Sequence, residues 1–320
     1  MELKVIKEAW NIIERDPREL LGFDDSAAIH IDDKRILVVN IDTFDESTDW
    51  LPGLSFYDIG WRAIISSISD VIVKGGKPLG CLISLGVPNL IETEELREFY
   101  TGIKDACKKY ELGFWGGDTN ESKIFYVSVT SIGLASKVIP RSGARPGDVL
   151  LSTGLFGLNS LAYKTLLKGL YLSHLRGLAN VYRPAIPNFE EWSVLLDYVT
   201  SSIDSSDGLA LSLHAISRAS NVKIVVDAEA VIDPQVKTIS SKLGLDAFEL
   251  AFYEGGEEYT FLFTIREEVL DEVMEIARKA GLRIFKVGNI EEGEGVWAKV
   301  GERLVRVEER GWVHGEGWKR

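Results

Sequence analysis

The chain has 320 residues, with 36 basic against 49 acidic side chains and a formal net charge of −13, an excess that repels nucleic acid and anionic lipid, so a polyanionic ligand has to be brought in by metal ions or a local basic patch. A composition of 45% hydrophobic and 27% charged residues is that of an ordinary globular protein, long enough for two domains with cores of their own. Two cysteines, Cys81 and Cys107, outside any Cys-x-x-Cys pair, argue against a disulfide framework or zinc ribbon, and no uninterrupted apolar run reaches the length of a membrane span. The expectation is a protein of the reducing cytoplasm that meets neither nucleic acid nor membrane.

Val5, Ala9, Trp10, Ile12 and Ile13 recur at helical spacing, so residues 3–15 open the chain as an amphipathic helix. After Asp24 and Asp25 come two β-branched runs, residues 27–31 and 35–41, joined by Asp32-Asp33-Lys34 as a hairpin that Asp25 enters and Asp42 leaves. Between Asp42 and Pro52 the composition is acidic and polar, with Asp45, Glu46, Asp49 and Trp50, as in a surface loop placed to act as a lid. Phe56, Ile59, Ala63, Ile64, Ser67, Ile68 and Val71 follow the 3.6-residue period, which predicts a helix over residues 55–73 with Asp70 beside its buried face. An aspartate there is costly unless it is paired, hydrogen-bonded or bound to metal.

Gly75-Gly76-Lys77-Pro78 ends that helix, a buried strand follows over 79–87, and a second amphipathic helix spans 93–110. Leu112 to Asn120 reads Leu-Gly-Phe-Trp-Gly-Gly-Asp-Thr-Asn, a buried apolar run that stops at two glycines and delivers Asp118 at its end. Taken alone, Asp118 is equally a turn residue bonded to its own backbone. Residues 124–135 form another strand, and the polar, glycine- and proline-rich stretch from Arg141 to Asp148 is the best boundary in the chain. It divides an N-terminal unit, 1–140, from a C-terminal one, 148–320.

In the second unit, Val149 to Ser152 precedes Gly154 and Gly157, a plain loop or an anion cradle at the start of a helix over 158–170. A helix over 190–200 is followed by Ser-Ser-Ile-Asp204-Ser-Ser-Asp207-Gly208 and a helix over 209–219, where Asp207 is either a cap or a ligand. A strand over 222–226, an apolar stretch over 247–253, Glu254-Gly255-Gly256-Glu257-Glu258 and a strand over 259–265 follow. A helix over 266–280, a strand over 283–287 and a small β segment over 296–307 close the chain.

Asp24 and Asp25, Asp42, Asp70, Asp118, and Asp204 with Asp207 all stand at or near the ends of apolar segments, where aspartate has no intrinsic preference of its own. If Asp25, Asp42, Asp70, Asp118 and Asp204 converge, neighbouring ionised pairs roughly 6 Å apart repel by about 3 kcal/mol at an effective dielectric near 20, and cations must fill the site. An aspartate set without histidine or cysteine suits Mg²⁺, which is commonly shared with nucleotide phosphates. The chain has no P-loop, dinucleotide fingerprint, nucleophile elbow or His-Glu-x-x-His, and His30, His174, His214 and His314 do not cluster.

Laid out in order, Asp24-Asp25-Ser-Ala-Ala, Asp42-Thr43, Ser69-Asp70, Gly116-Gly117-Asp118-Thr119, Arg141 to Asp148, Ile203-Asp204-Ser-Ser206-Asp207-Gly208-Leu209 and Gly255-Gly256-Glu257-Glu258-Tyr259 resemble one superfamily of ATP-binding enzymes. It includes aminoimidazole ribonucleotide synthetase, selenophosphate synthetase, a hydrogenase maturation protein and thiamine-monophosphate kinase, and the pattern looks most like the last. The resemblance implies an α/β (α+β) fold in two domains: a β-rich N-terminal domain that pairs with a second copy in a homodimer, and a C-terminal α/β domain, with ATP between them. It implies Mg²⁺ ligands at Asp25, Asp42, Asp70, Asp118, Asp204 and Asp207, with Asp70, Asp118 and Asp204 at the centre of catalysis. ATP contacts are implied from Gly117, Asp118, Arg141 and Ser206, and thiamine phosphate contacts from Asp49, Glu257 and Trp318, the last equally readable as a terminal residue packed on the core.

Asn40-Ile41 stands where the kinases carry small hydroxyl residues, the segment from Phe44 to Trp50 lacks their glycine and histidine pattern, and Glu258 replaces an aspartate. The activity implied is transfer of the γ-phosphoryl group of ATP to thiamine monophosphate. The alternatives are a related ATP enzyme with another phosphate or amide acceptor, a nucleotide-binding paralogue without turnover, and a Mg²⁺-dependent phosphohydrolase.

Overall fold

Ser55 starts the longest helix of the computed structural model, which describes residues 5, 8–9, 11–168 and 177–311. This helix, α1 (Phe56–Val73), opens on a capping box in which the Ser55 hydroxyl accepts the Asp58 N–H and the Asp58 carboxylate accepts the Ser55 N–H. It packs on α2 (Thr93–Lys109) so closely that a Cβ on Gly60 would lie 2.0 Å from the Phe99 carbonyl oxygen. Glycine at the crossing is therefore what lets two backbones touch. Together the helices cover one face of a sheet of β1 (Ala27–His30), β2 (Ile36–Asp45), β3 (Lys77–Val87), β4 (Gly113–Glu121) and β5 (Tyr126–Ala135), in the order β1-β2-β5-β3-β4.

Strict alternation along β5 explains why only one face is covered: Val127, Val129 and Ser131 turn inward while Tyr126, Ser128 and Thr130 turn outward. The outer face leaves Ile41, Leu79, Leu82 and Trp115 exposed. Two expectations are corrected here. The Leu-Gly-Phe-Trp-Gly-Gly-Asp run is not a buried strand that stops at glycine. It is an exposed edge strand, β4, which continues through Gly116 and Gly117 past Asp118, because it runs parallel to β3 with Gly117 pressed on the Ile83 carbonyl, where a Cβ would come within 2.0 Å. The residue 43–52 segment is not a free loop. It extends β2, turns once as a short helix over Glu46–Asp49, and is anchored by Trp50, whose ring stands 5.3 Å from that of Phe56 in an aromatic row continued by Phe125 and Phe99.

The second sheet holds β6 (Asp148–Ser152), β7 (Val199–Ser205), β8 (Lys223–Asp227), β9 (Thr260–Arg266), β10 (Phe285–Glu291), β11 (Gly295–Val300) and β12 (Arg303–Arg306), in the order β12-β11-β8-β10-β6-β9-β7. Its pairings are antiparallel except β8 with β11. Helices α3 (Leu158–Leu167), α4 (Leu209–Ser220), α5 (Pro234–Leu243) and α6 (Leu270–Ala280) accompany it: α4 packs on it against β7, β8 and β11, α3 packs on α5, and α6 buries Val273 and Ala277. The serine-rich run before Asp207 turns out to be a buried strand, β7, and the preceding helix is only Phe189–Ser193. Two of its hydroxyls are tolerated because they are bonded, Ser201 to Thr264 at 2.7 Å and Ser202 to the Val73 carbonyl at 2.8 Å, while the buried Ser205 hydroxyl has no partner among the described residues.

The second of these bonds also joins β7 to the end of α1, and buried side chains form one continuous cluster running from Ile59 and Ile72 of α1 to Trp192 and Phe263. Helix α5 was not foreseen from the sequence. Cys81 and Cys107 are free and buried, His30 is exposed, and His174, His314 and Trp318 lie outside the described residues. Among the described residues no helix is long and apolar enough to cross a membrane.

Candidate active site

The C-terminal end of α1 is where the two sheets meet, and three separate segments bring carboxylates to it. Asp70 comes from α1 itself, Asp204 from β7, and Asp25 from the turn before β1. Each offers an oxygen, and the three oxygens lie within 4.8 Å of one another. The Ser69 hydroxyl donates to Asp204, whose residue is 2% exposed, and the Asn40 side-chain amide donates to Asp70. Asn40, the departure from the family's hydroxyl pattern, thus still faces the cluster, but as a donor. Asp42, next along the inner face of β2, adjoins the group: its carboxyl is pushed up mainly by burial, with the Thr43 N–H and the Ser66 hydroxyl acting against the shift.

The charges of this cluster are unevenly answered. Burial, followed by the charges of Asp204, Asp25 and Asp42, pushes Asp70 well above the ordinary carboxylate range, and burial with Asp25 pushes Asp204 up to about 7. Asp25 goes the other way. Burial opposes its ionisation, but Lys74 and Arg141 outweigh that and hold it below the usual value. The Lys74 ammonium is wholly buried at the C-cap of α1, 2.6 Å from Asp24 Oδ1, 2.7 Å from Asp25 Oδ2 and 2.6 Å from the Ser202 carbonyl. The Arg141 N–H donates to Asp24 at 2.7 Å and its Nε to Asp25 at 3.0 Å. Sequence reasoning missed Lys74. The signal available was a lysine four residues past Asp70 on the same apolar helix, directly before Gly75-Gly76.

A second acidic group continues from Asp42. Asp49 accepts the Asp45 N–H at 2.8 Å, and the charges of Asp49 and Glu257 both bear on Asp42. Glu257 is paired with the buried Arg62 of α1 and accepts the Tyr163 hydroxyl at 2.6 Å. The loop carrying it is tied to the end of β7 by Glu257 N–H to the Ser206 carbonyl at 2.6 Å and Tyr259 N–H to the Ser205 carbonyl at 3.0 Å. Glu257 and Tyr259 have φ of 56° and 48°, a left-handed backbone that side chains seldom adopt and that only such tethering sustains. Glu258 is held up to about 8, chiefly by burial.

Not every expected residue joins. Asp118 pairs across the sheet with Ser84, Ser84 with Ser128 and Ser128 with Thr43, so it shares a row and a face with Thr43 and not with Asp42. Three strand spacings, about 14 Å, separate that row's ends. Asp118 is exposed and accepts from Asn120 at 2.8 Å, and with Gly117 it stands apart from the cluster within one chain. Asp207 lies exposed just beyond β7, where its charge reaches Asp204, while Gly208 takes the N-cap of α4. The third thiamine-side candidate, Trp318, falls outside the described residues.

An all-carboxylate donor set, with two members raised above the ordinary carboxylate range by burial and then by mutual repulsion, is what a hard divalent cation such as Mg²⁺ relieves, so the residues fit such an ion.

The chain matches the family described as AIR synthase related protein, N-terminal domain, over residues 23–135, and its C-terminal domain over residues 145–301. The thiamine-monophosphate kinase of Pyrococcus horikoshii is 32% identical over 306 residues, 95% of this chain and 94% of that protein. That of Nitrosopumilus maritimus is 30% identical over 286 residues, 88% of this chain and 90% of that protein. The solved structure of AaThiL complexed with AMPPCP and TMP superposes with a TM-score of 0.82 at 28% identity, covering 98% of this chain and 96% of that one. The hydrogenase maturation protein HypE of E. coli shares the fold, with a TM-score of 0.71 at 18% identity over 98% of this chain and 99% of that one.

Proposed function

The chain belongs to the AIR synthase related family and, within it, to the thiamine-monophosphate kinases, and from that membership we propose that it transfers the γ-phosphoryl group of ATP to thiamine monophosphate, giving thiamine diphosphate and ADP. The observation that carries the reading is the meeting of Asp25, Asp70 and Asp204 from three distant segments at the junction of the two sheets.

Asp25, Asp70 and Asp204, with Asp42 adjoining, would hold Mg²⁺, which supplies neutralisation of the charge on the nucleotide phosphates. The chain needs no nucleophile of its own, since a phosphate oxygen of the acceptor attacks in line and the protein's work is positioning. Ser69 and Asn40 aim the Asp204 and Asp70 carboxylates by donating to them. Arg141, paired with Asp25 and partly exposed, is the cation placed to meet a phosphate. Glu257 and Asp49 present negative charge on the Asp42 side of the site, where a cationic thiazolium is stabilised, and Arg62 with Tyr163 fixes the Glu257 carboxylate.

The protein works in the cytoplasm as a homodimer. The exposed Ile41, Leu79, Leu82 and Trp115 on the outer face of the N-terminal sheet support a partner there, and Asp118, which lies on that face, would act in the site of the partner copy.

The test is purified protein with ATP, Mg²⁺ and thiamine monophosphate, products separated by chromatography, beside Asp70→Asn and Asp204→Asn. Equal amounts of ADP and thiamine diphosphate are expected, with a loss of at least about a hundredfold in either variant. ADP or phosphate release that does not depend on the acceptor would point to a phosphohydrolase and end the kinase reading.

A further inference from the structure

Lys74 touches the three segments that deliver Asp25, Asp70 and Asp204 to the acid cluster. It lies on the same helix as Asp70, four residues on, its ammonium bonds the carbonyl of Ser202 two residues before Asp204, and it pairs with both Asp24 and Asp25. Its ammonium has three close oxygen partners, the Ser202 carbonyl by a hydrogen bond and Asp24 and Asp25 by ion pairs, and its side chain is 0% exposed. No water competes for it, and the helix C-terminus at which it sits favours positive charge. The Asp24 and Asp25 side chains are themselves only 2% and 6% exposed, so in the absence of Lys74 they would be buried charges answered by Arg141 alone.

We propose that Lys74 is a positioning residue that acts as a built-in cation, holding the three ligand-bearing segments together before metal arrives and setting how much positive charge the cluster still accepts. The inference rests on the reading of Asp25, Asp70 and Asp204 as Mg²⁺ ligands. The carboxylates of Asp24, Asp25, Asp70 and Asp204, with Asp42 adjoining, outnumber the two cations Lys74 and Arg141, so the ionised cluster carries a formal excess of negative charge that a divalent ion would offset. Because Lys74 shares Asp25 with the incoming ion, metal uptake proceeds against the ammonium. Removing it weakens the empty site and strengthens the filled one.

The experiment measures Mg²⁺ binding by calorimetry, without nucleotide, on the full chain and on Lys74→Met, Asp24→Asn and Asp70→Asn, with thermal midpoints in EDTA and in saturating Mg²⁺. Lys74→Met is expected to lower the midpoint in EDTA by several degrees, to recover most of that loss in Mg²⁺, and to bind Mg²⁺ about tenfold more tightly. Asp24→Asn, which leaves the ammonium to Asp25 alone, is expected to bind Mg²⁺ more weakly, and it decides the matter by itself should Lys74→Met fail to fold. Equal midpoint losses with and without Mg²⁺, or affinities unchanged in both variants while Asp70→Asn loses binding, overturn the role of Lys74 and leave the metal site standing. No Mg²⁺ uptake by the unsubstituted chain overturns both.

Discussion

Arg62 and Glu257 form an ion pair that ties α1 to the loop before β9, and so fixes a carboxylate of one sheet's site from a helix that covers the other. Arg62 is 2% exposed and also donates to the Val181 carbonyl, whereas the Glu257 side chain is 32% exposed. Burial works most strongly against the Arg62 charge, but Glu257 together with Tyr163 and Tyr259 outweighs it. Arg62→Met leaves Glu257 held by Tyr163 alone. After discounting for the exposed partner, a loss of about 2 kcal/mol of stability is expected in denaturant titrations. The KM for thiamine monophosphate should rise by about tenfold with a smaller change in kcat if Glu257 binds the acceptor, as proposed, and does not react. A fall confined to kcat would remove Glu257 from acceptor binding.

Metal-free protein should lose stability between mildly acidic and neutral pH. Asp204 is raised from 3.8 to about 7, first by burial and then by the Asp25 charge, so across that window the folded state keeps a proton that the unfolded chain has released. Its contribution is therefore complete below about 4 and disappears as pH passes through about 7. Thermal midpoints in EDTA should fall from pH 5 to pH 8, and Asp204→Asn should flatten that fall. A midpoint that climbs over the same range contradicts the assignment.

Asp118→Asn should abolish most activity while changing stability by less than about 0.5 kcal/mol, because the side chain is exposed and its one bond is to Asn120. If its site lies in the partner copy, mixing Asp118→Asn with Asp70→Asn chains under exchange should restore roughly a quarter of the sites, where the two intact residues meet. Mixtures with no recovery place both residues in one chain's site.

The crossing of α1 and α2 admits no side chain. A Cβ on Gly60 would lie 2.0 Å from a backbone oxygen of Phe99, and backbone cannot swing aside as a side chain can. Gly60→Ala should cost about 3 kcal/mol or more by chemical denaturation, despite alanine's better helix propensity. Unchanged stability would mean the helices separate freely.

The carboxylates at the centre of the cluster were legible in the sequence because aspartate is out of place there. Asp70 stands on the buried stripe of a strongly periodic helix and Asp204 in an apolar-flanked serine run, and local pattern is enough to mark both as needing a partner. The helix from Ser55 and the glycine stop after Lys74 were legible for the same reason, since helix signals are local. What the sequence could not decide is which charges answer which. Lys74 reads as an ordinary helix-end lysine until β7 is laid against α1 and the turn before β1 closes over it. Gly-Gly-Asp118 reads as a turn until pairing with β3 draws it into an exposed edge strand on the opposite face. Strand partners, the side of a sheet a residue faces, and burial at the junction of two sheets are set by contacts between residues far apart in the chain. Charge balance in the site depends on those contacts, so only the tertiary structure decided it.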